Sequence, residues 1–204
     1  MTASGQNELK RIVRFMRVIF IIVLVSITAI VFLVPFGVDL GLLYDEQQGN
    51  LTLVDEFGTR IEIEDEVEGL TIEPGDEIVL PAQARGRVHL IPELGAYAYL
   101  FGPVAWEVRA AERHATAFAH VIQPSEADYA LEIAQSAGSV VYDFSASDIS
   151  LANINLLIRA GDQIFEPDVP CFQVFAPQND QPGRLAPIPC GEDDQPPPMP
   201  ALPG

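Results

Sequence analysis

From Val18 to Val38 the chain carries no charged residue, and Asp39 ends the run. These 21 residues reach roughly 32 Å as a helix, enough to cross the hydrocarbon core of a bilayer. A soluble helix of this length normally turns one polar face to water, and this segment has none to turn. The expectation is therefore one transmembrane helix over residues 18–38. Lys10, Arg11, Arg14 and Arg17 stand just ahead of it, and cations are scarce just after it. The positive-inside rule keeps such an N-terminus in the cytoplasm and exports the C-terminal remainder of the chain. No clear small-x-small cleavage site lies in Val34-Pro35-Phe36-Gly37-Val38-Asp39-Leu40, so an uncleaved signal-anchor is expected rather than a signal peptide.

Charge narrows the choice of partners. Residues 39–204 hold seven arginines against 28 acids. A face-wide negative field repels nucleic acid and anionic lipid alike, so no nucleic-acid partner is expected. The expected partners are the bilayer itself and another envelope or membrane protein. The only two cysteines, Cys171 and Cys190, lie on the exported side, and an oxidising compartment would pair them. Their spacing matches no haem or zinc motif.

Past the apolar run the pattern changes. Residues 39–56 read as a polar stem, with Gln47-Gln48-Gly49-Asn50 as a turn. From 57 to 177 short apolar or alternating runs recur between Gly, Pro and Asp, the signature of strands. In Arg60-Ile61-Glu62-Ile63-Glu64 the acids take one face and the aliphatics the other. Further strands are expected at 77–80, 87–91, 96–101, 104–109, 116–122, 129–134, 139–144, 149–158 and 172–175. Glu73-Pro74-Gly75-Asp76, Gly102-Pro103, Gln123-Pro124-Ser125 and Ala160-Gly161-Asp162 are the expected turns. Residues 107–120 read equally as an alanine-rich helix. The fold class is mainly β, as a sandwich, a barrel or a short β-solenoid, with the one N-terminal transmembrane helix. Nine prolines fall from Pro177 to Pro203, so 178–204 reads as a Pro-rich acidic tail, largely disordered and at most tied back by the disulfide up to residue 190.

Catalytic chemistry is hard to find. His114 and His120 are six residues apart, which brings their rings together neither on a strand nor on a helix. The acids at 62, 64, 65, 66 and 68 are too far apart along a strand for a tight calcium chelate. There is no G-x-S-x-G elbow near Ser136, Ser139, Ser145 or Ser147, no phosphate-cradling glycine loop, and no lysine other than Lys10. No cofactor or metal and no enzymatic activity is expected. Tyr97, Tyr99, Phe101 and Trp106 cluster about Gly102-Pro103. They are the candidate partner or ligand surface, with a packed core face as the plainer explanation.

The order of several motifs resembles the FecR-type extracytoplasmic domain. Gly75-Asp76-Glu77-Ile78 stands for its opening turn and strand. Ala84, Gly86, Val88 and Leu90 come next, then Leu94-Gly95, Ala98 and Leu100. Gly138-Ser139-Val140-Val141-Tyr142 and Phe172-Gln173-Val174-Phe175-Ala176-Pro177 match its later strands. The resemblance covers about residues 70–177 and implies a β-rich domain that receives an envelope signal. The 17 residues ahead of the apolar run are too few for the anti-sigma region of such regulators, so no output module is expected. The function expected overall is a membrane-anchored, non-enzymatic sensor or scaffold; the alternative is an accessory single-pass subunit of a larger membrane complex.

Overall fold

The computed structural model describes residues 15–28, 36–39, 41–64, 69–92, 94–115, 128–146 and 151–190. Residues 15–28 form one helix, α1. Among the described residues no helix is long and apolar enough to cross a membrane. At 1.5 Å per residue α1 reaches only about 21 Å, short of the roughly 30 Å hydrocarbon core. The expected span to Val38 is also corrected at its end, because Phe36–Asp39 is strand β1 and pairs antiparallel with residues 112–115.

The other strands are β2 (Leu42–Gln48), β3 (Leu51–Val54), β4 (Arg60–Ile63), β5 (Leu70–Ile72), β6 (Glu77–Leu80) and β7 (Arg85–Ile91). They continue with β8 (Ala96–Ala115), β9 (Asp128–Asp143), β10 (Ile154–Ala160), β11 (Gln163–Phe165), β12 (Cys171–Phe175) and β13 (Arg184–Pro187). All thirteen join one continuous sheet.

Two long strands let that sheet fold back on itself. The first part of β8 and the last part of β9 pair with each other over Tyr97–Phe101 and Ser139–Asp143. Extended by β7, β2 and β5 on one side and by β12 and β13 on the other, they make the first layer. Beyond a register shift, Ala105–His114 pairs with Asp128–Ala137. Here β6, β3 and β4 flank one side and the parallel β10, then β11, the other. This is the second layer. Side chains of both meet in one buried cluster, among them Tyr44, Val88, Leu100, Tyr142 and Phe172 from the first and Ile78, Trp106, Tyr129, Leu131 and Ile158 from the second. Two apolar sheet faces thus close on each other around this cluster, in a mainly β fold.

The corner explains why strands continue where turns were expected. Gly102-Pro103 has the composition of a turn, but β8 runs through it, bending as it does so, with the Gly102–Pro103 peptide cis. A Cβ on Gly102 would lie 1.8 Å from the Pro81 carbonyl oxygen. On β9, Gly138 has φ +74°, and a Cβ there would lie 2.0 Å from the Pro103 carbonyl oxygen. Only glycine lets the two bent strands cross at this distance. Likewise 129–134 and 139–144, expected as two strands, belong to β9 and its end.

Further expectations change. The stem at 39–56 is part of the fold: it carries the last residue of β1 with all of β2 and β3, and Leu42, Tyr44, Leu51 and Leu53 are buried. Its many polar residues hid a strand whose alternate side chains face the core. The tail reading of 178–204 fails for 184–187, which form β13 against β12; Pro187 sits at its end, where its missing N–H costs nothing. Residues 107–115 are strand, not helix. The 149–158 strand begins only at Ile154, after a 3-10 turn at Leu151–Asn153. On β4 the two-faced reading holds only for Ile63, which packs on the core, since Ile61 is 47% exposed. The expected strand at 116–122, the acids 65–68 and the tail from 191 lie outside the described residues.

Candidate functional site

Alternation along β7, β8, β9 and β12 turns one set of side chains into the core and the other onto the outer face of the first layer. Register then lines the outer set into rows. One row reads Arg184, Phe175, Ser139, Phe101, Arg85 across β13, β12, β9, β8 and β7. The next reads Ala186, Gln173, Val141, Tyr99, Arg87, and the third Cys171, Asp143, Tyr97, His89. At about 4.8 Å per strand the first row is roughly 19 Å wide.

Cations and rings are interleaved on this face. The Arg184 guanidinium carbon lies 4.2 Å from the Phe175 ring centroid, that of Arg85 5.8 Å from Phe101, and that of Arg87 5.4 Å from Tyr97. His89 packs edge-on to Tyr97 at 4.4 Å, and Tyr97 stacks with Tyr99 at 6.1 Å. Such cation–ring contacts hold the guanidinium planes of Arg85 and Arg184 against their rings. The residues at the centre of the face are enclosed: Val141 is fully buried and Gln173 is 1% exposed, although Val141 does not belong to the shared core. The Gln173 side-chain oxygen has no hydrogen-bond partner among the described residues.

One end of the face is closed by the disulfide. Cys171 and Cys190 are bonded, as expected from export, with their Cα atoms 5.3 Å apart, and a disulfide is the mark of an oxidising compartment. Cys171 Sγ lies 3.3 Å from Asp143 Oδ1. The cluster of Asp143, Cys171 and Cys190 has the spacing of metal ligands, but both sulfurs are spent in the bond and Asp143 Oδ1 accepts from the Ser145 amide (2.8 Å) and hydroxyl (2.6 Å).

Of the expected surface residues, the fold brings Tyr97, Tyr99 and Phe101 onto one outer face, but Tyr99 is buried there. It takes Trp106 away: that ring is 0% exposed and faces the second layer's core. Its even position shares the inward parity of Ala98 and Leu100 on β8, which is the signal that separates it from the odd-numbered rings. Arg85, Arg87, Phe175 and Arg184 belong to the face and were missed. The alternation Arg85-Gly86-Arg87-Val88-His89-Leu90 already carried the first two; β13 had no strand signal. Of the orienting cations, Arg17 is exposed on α1, and Lys10, Arg11 and Arg14 lie outside the described residues. His114 pairs with Glu112 at 2.9 Å on the exposed end of β8, and His120 lies outside the described residues.

Away from this face, a concavity of about 580 Å³ is lined by Asp55, Glu56, Glu73, Asp76, Arg109 and Glu112. Its acids brace turns. Asp55 Oδ1 accepts from the amides of Phe57 (3.0 Å) and Thr59 (2.7 Å), and Asp76 Oδ2 from that of Glu73 (3.0 Å).

The charge distribution favours the outer face of the first layer. Elsewhere, Arg109 pairs with Glu107 at 3.3 Å and Arg159 with Glu132 at 2.6 Å, and Arg113 is buried over Tyr129. Three of the seven arginines of residues 39–204 therefore gather on one aromatic face of a chain whose net charge is −18. Guanidinium groups suit anions, and ring faces suit flat or proline-rich groups. No family model, no curated protein and no solved structure matches this chain.

Proposed function

We propose that the chain is a membrane-anchored, non-enzymatic binding domain on the extracytoplasmic side, and that its arginine–aromatic face captures an acidic segment of another envelope protein. The row Arg184, Phe175, Ser139, Phe101, Arg85 carries this reading, because it sets a cation on a ring at both ends of a strip on an otherwise acidic molecule. The motif order that resembles FecR-type domains agrees with a receiving role.

Anchoring is supported by α1. Phe15, Met16, Phe20, Ile21, Ile22, Leu24 and Val25 are all more than half exposed. They point in every direction around the axis, and a helix apolar on all sides needs an apolar surround. Thr28 Oγ1 donates to the Leu24 carbonyl oxygen at 2.9 Å, which is how a hydroxyl is satisfied where water is absent. In this reading residues 18–28 of α1 begin the apolar run. Resistance of the protein to alkaline carbonate extraction is the expected outcome; release into the supernatant overturns the anchor.

Capture is tested by affinity purification of the full chain from its own membranes in mild detergent. Arg85→Glu with Arg184→Glu is expected to lose the co-purifying protein while the disulfide and the thermal melt are kept. Unchanged recovery of the same partner sinks the proposal. The second reading, an accessory subunit of a larger complex, rests on Ser26 and Thr28, a small polar patch suited to close helix contact. Exchanging α1 for an unrelated apolar helix separates the two, since only the subunit loses its partner.

A further inference from the structure

We infer that reduction of the Cys171–Cys190 disulfide opens a binding site for a thiophilic divalent cation such as zinc, with Cys171 Sγ, Cys190 Sγ and Asp143 Oδ1 as its protein ligands. Asp143 carries the inference. It is 7% exposed, and among the described residues no cation pairs with it. A buried carboxylate ordinarily has a cation or a metal beside it. Its Oδ1 accepts from Ser145, by the amide at 2.8 Å and the hydroxyl at 2.6 Å. The same oxygen stands 3.3 Å from Cys171 Sγ, yet a disulfide sulfur has no hydrogen to donate. The contact therefore gains nothing from the oxidised pair. It becomes favourable when Cys171 is a thiol that donates to the carboxylate, or when a cation sits between the two.

Zinc bonds thiolate sulfur at about 2.3 Å and carboxylate oxygen at about 2.0–2.2 Å, so two such ligands on a tetrahedral ion stand roughly 3.5 Å apart. The Asp143–Cys171 separation already matches, and all three ligand atoms lie within 4.8 Å of one another. Strand pairing holds them there without the S–S bond. Asp143 and Cys171 are cross-strand partners on β9 and β12. β13 pairs with β12, and the Ile188 amide donates to the Cys171 carbonyl oxygen at 3.2 Å, which keeps Cys190 close to its partner. Ser145 orients the carboxylate, as the outer partners of metal ligands do. Three protein ligands leave the fourth tetrahedral position for water. Of the three, Cys190 alone is not buried, so an external dithiol attacks there. One sulfur of the dithiol bonds to Cys190 Sγ and expels Cys171 Sγ; its second sulfur then displaces Cys190 Sγ and closes the reductant's own disulfide. Two electrons pass to the protein, and the two protons of the dithiol end on the two cysteines. Zinc then replaces one proton on each thiol.

The test uses the full chain in detergent, either oxidised or reduced with a phosphine under argon, with cobalt(II) and then zinc as the probes. The reduced chain should take up cobalt with the near-ultraviolet sulfur-to-cobalt charge-transfer band of thiolate ligation. Zinc should abolish the band and release about two protons per ion. The oxidised chain should show neither. Asp143→Asn keeps an acceptor for Ser145, so its oxidised melt should stay close to that of the native chain. Its reduced form should bind zinc at least about tenfold more weakly, the loss that even the outer partners of a metal ligand cause. Zinc should also raise the melting midpoint of the reduced chain and leave the oxidised one unchanged. A reduced chain without the charge-transfer band overturns the inference, and so does an Asp143→Asn chain that binds zinc as tightly as the native one. If reduction unfolds the chain, zinc should restore its β-sheet ellipticity, and failure to do so counts equally against the site. The arginine–aromatic face stands or falls separately.

Discussion

The Trp106 indole N–H donates to the Tyr142 hydroxyl oxygen at 3.0 Å, joining the second layer to the first in the middle of the core. Both side chains are fully buried. Tyr142 also stacks on Phe172 at 5.1 Å, so the pair fixes both the polar and the apolar side of the layer contact. Removing the hydroxyl with Tyr142→Phe leaves a buried N–H unsatisfied, at a cost of about 1–3 kcal/mol. Urea unfolding of the purified chain should show a lower midpoint with unchanged slope; an unchanged midpoint contradicts the role assigned to the bond.

The same hydroxyl makes stability depend on alkaline pH. Burial pushes the Tyr142 ionisation upward, against the smaller lowering effect of the Trp106 hydrogen bond. The folded state thus holds this proton more tightly than the unfolded chain, where tyrosine ionises near pH 10. The stabilisation is complete below about pH 10 and is lost as pH rises from there through the folded value. Between pH 8 and pH 10.5 the native protein should lose more stability than Tyr142→Phe. Parallel pH profiles of the two would refute this.

Gly138 is where the corner is most sensitive. Alanine there meets both a left-handed φ of +74° and a backbone oxygen at 2.0 Å, and neither can yield without parting β8 from β9. Gly138→Ala should cost more than about 3 kcal/mol, read as a large drop in thermal midpoint. Gly58, also at positive φ but with nothing within 4 Å of its added Cβ, should cost about 1 kcal/mol as alanine.

The disulfide closes a loop across 19 positions of sequence. The chain-entropy model assigns it about 3 kcal/mol. Reduction should lower the unfolding midpoint accordingly, and Cys171→Ser with Cys190→Ser should match the reduced protein. A melt insensitive to reductant would show that β13 holds without it.

How much of this could be read from sequence depended on which residues signalled their own side. Strands such as β6 and β7 announce themselves, because Ile78 and Leu80, or Val88 and Leu90, alternate with half-buried neighbours. The disulfide was legible because both cysteines lie on one side of the apolar run. Gly102-Pro103 misled, since those residues mark a bend within β8 as readily as a turn between two strands. Residues 42–54 were hidden by Asp45-Glu46-Gln47-Gln48, which read as stem until their partners on β7 are known. The arginine rows were illegible for a different reason: Arg184 and Arg85 become neighbours of one strip only through four strand pairings whose registers no local pattern contains.

The long strands β8 and β9 each serve both layers, and this governs the order in which the domain can assemble. Before β8 exists, β2 pairs only with β5 and β7, and β3 only with β4 and β6, two small ribbons with their apolar faces uncovered. Closure waits for residues as distant as Phe36 and Ala115, or Ser139 and Phe175, to find each other. Such pairing is slow because chain entropy is lost before contacts compensate. A chain that emerges N-terminus first therefore spends its early life as an open half-structure, and its acidic surface is then a safeguard: like charge keeps neighbouring copies apart until the second long strand arrives.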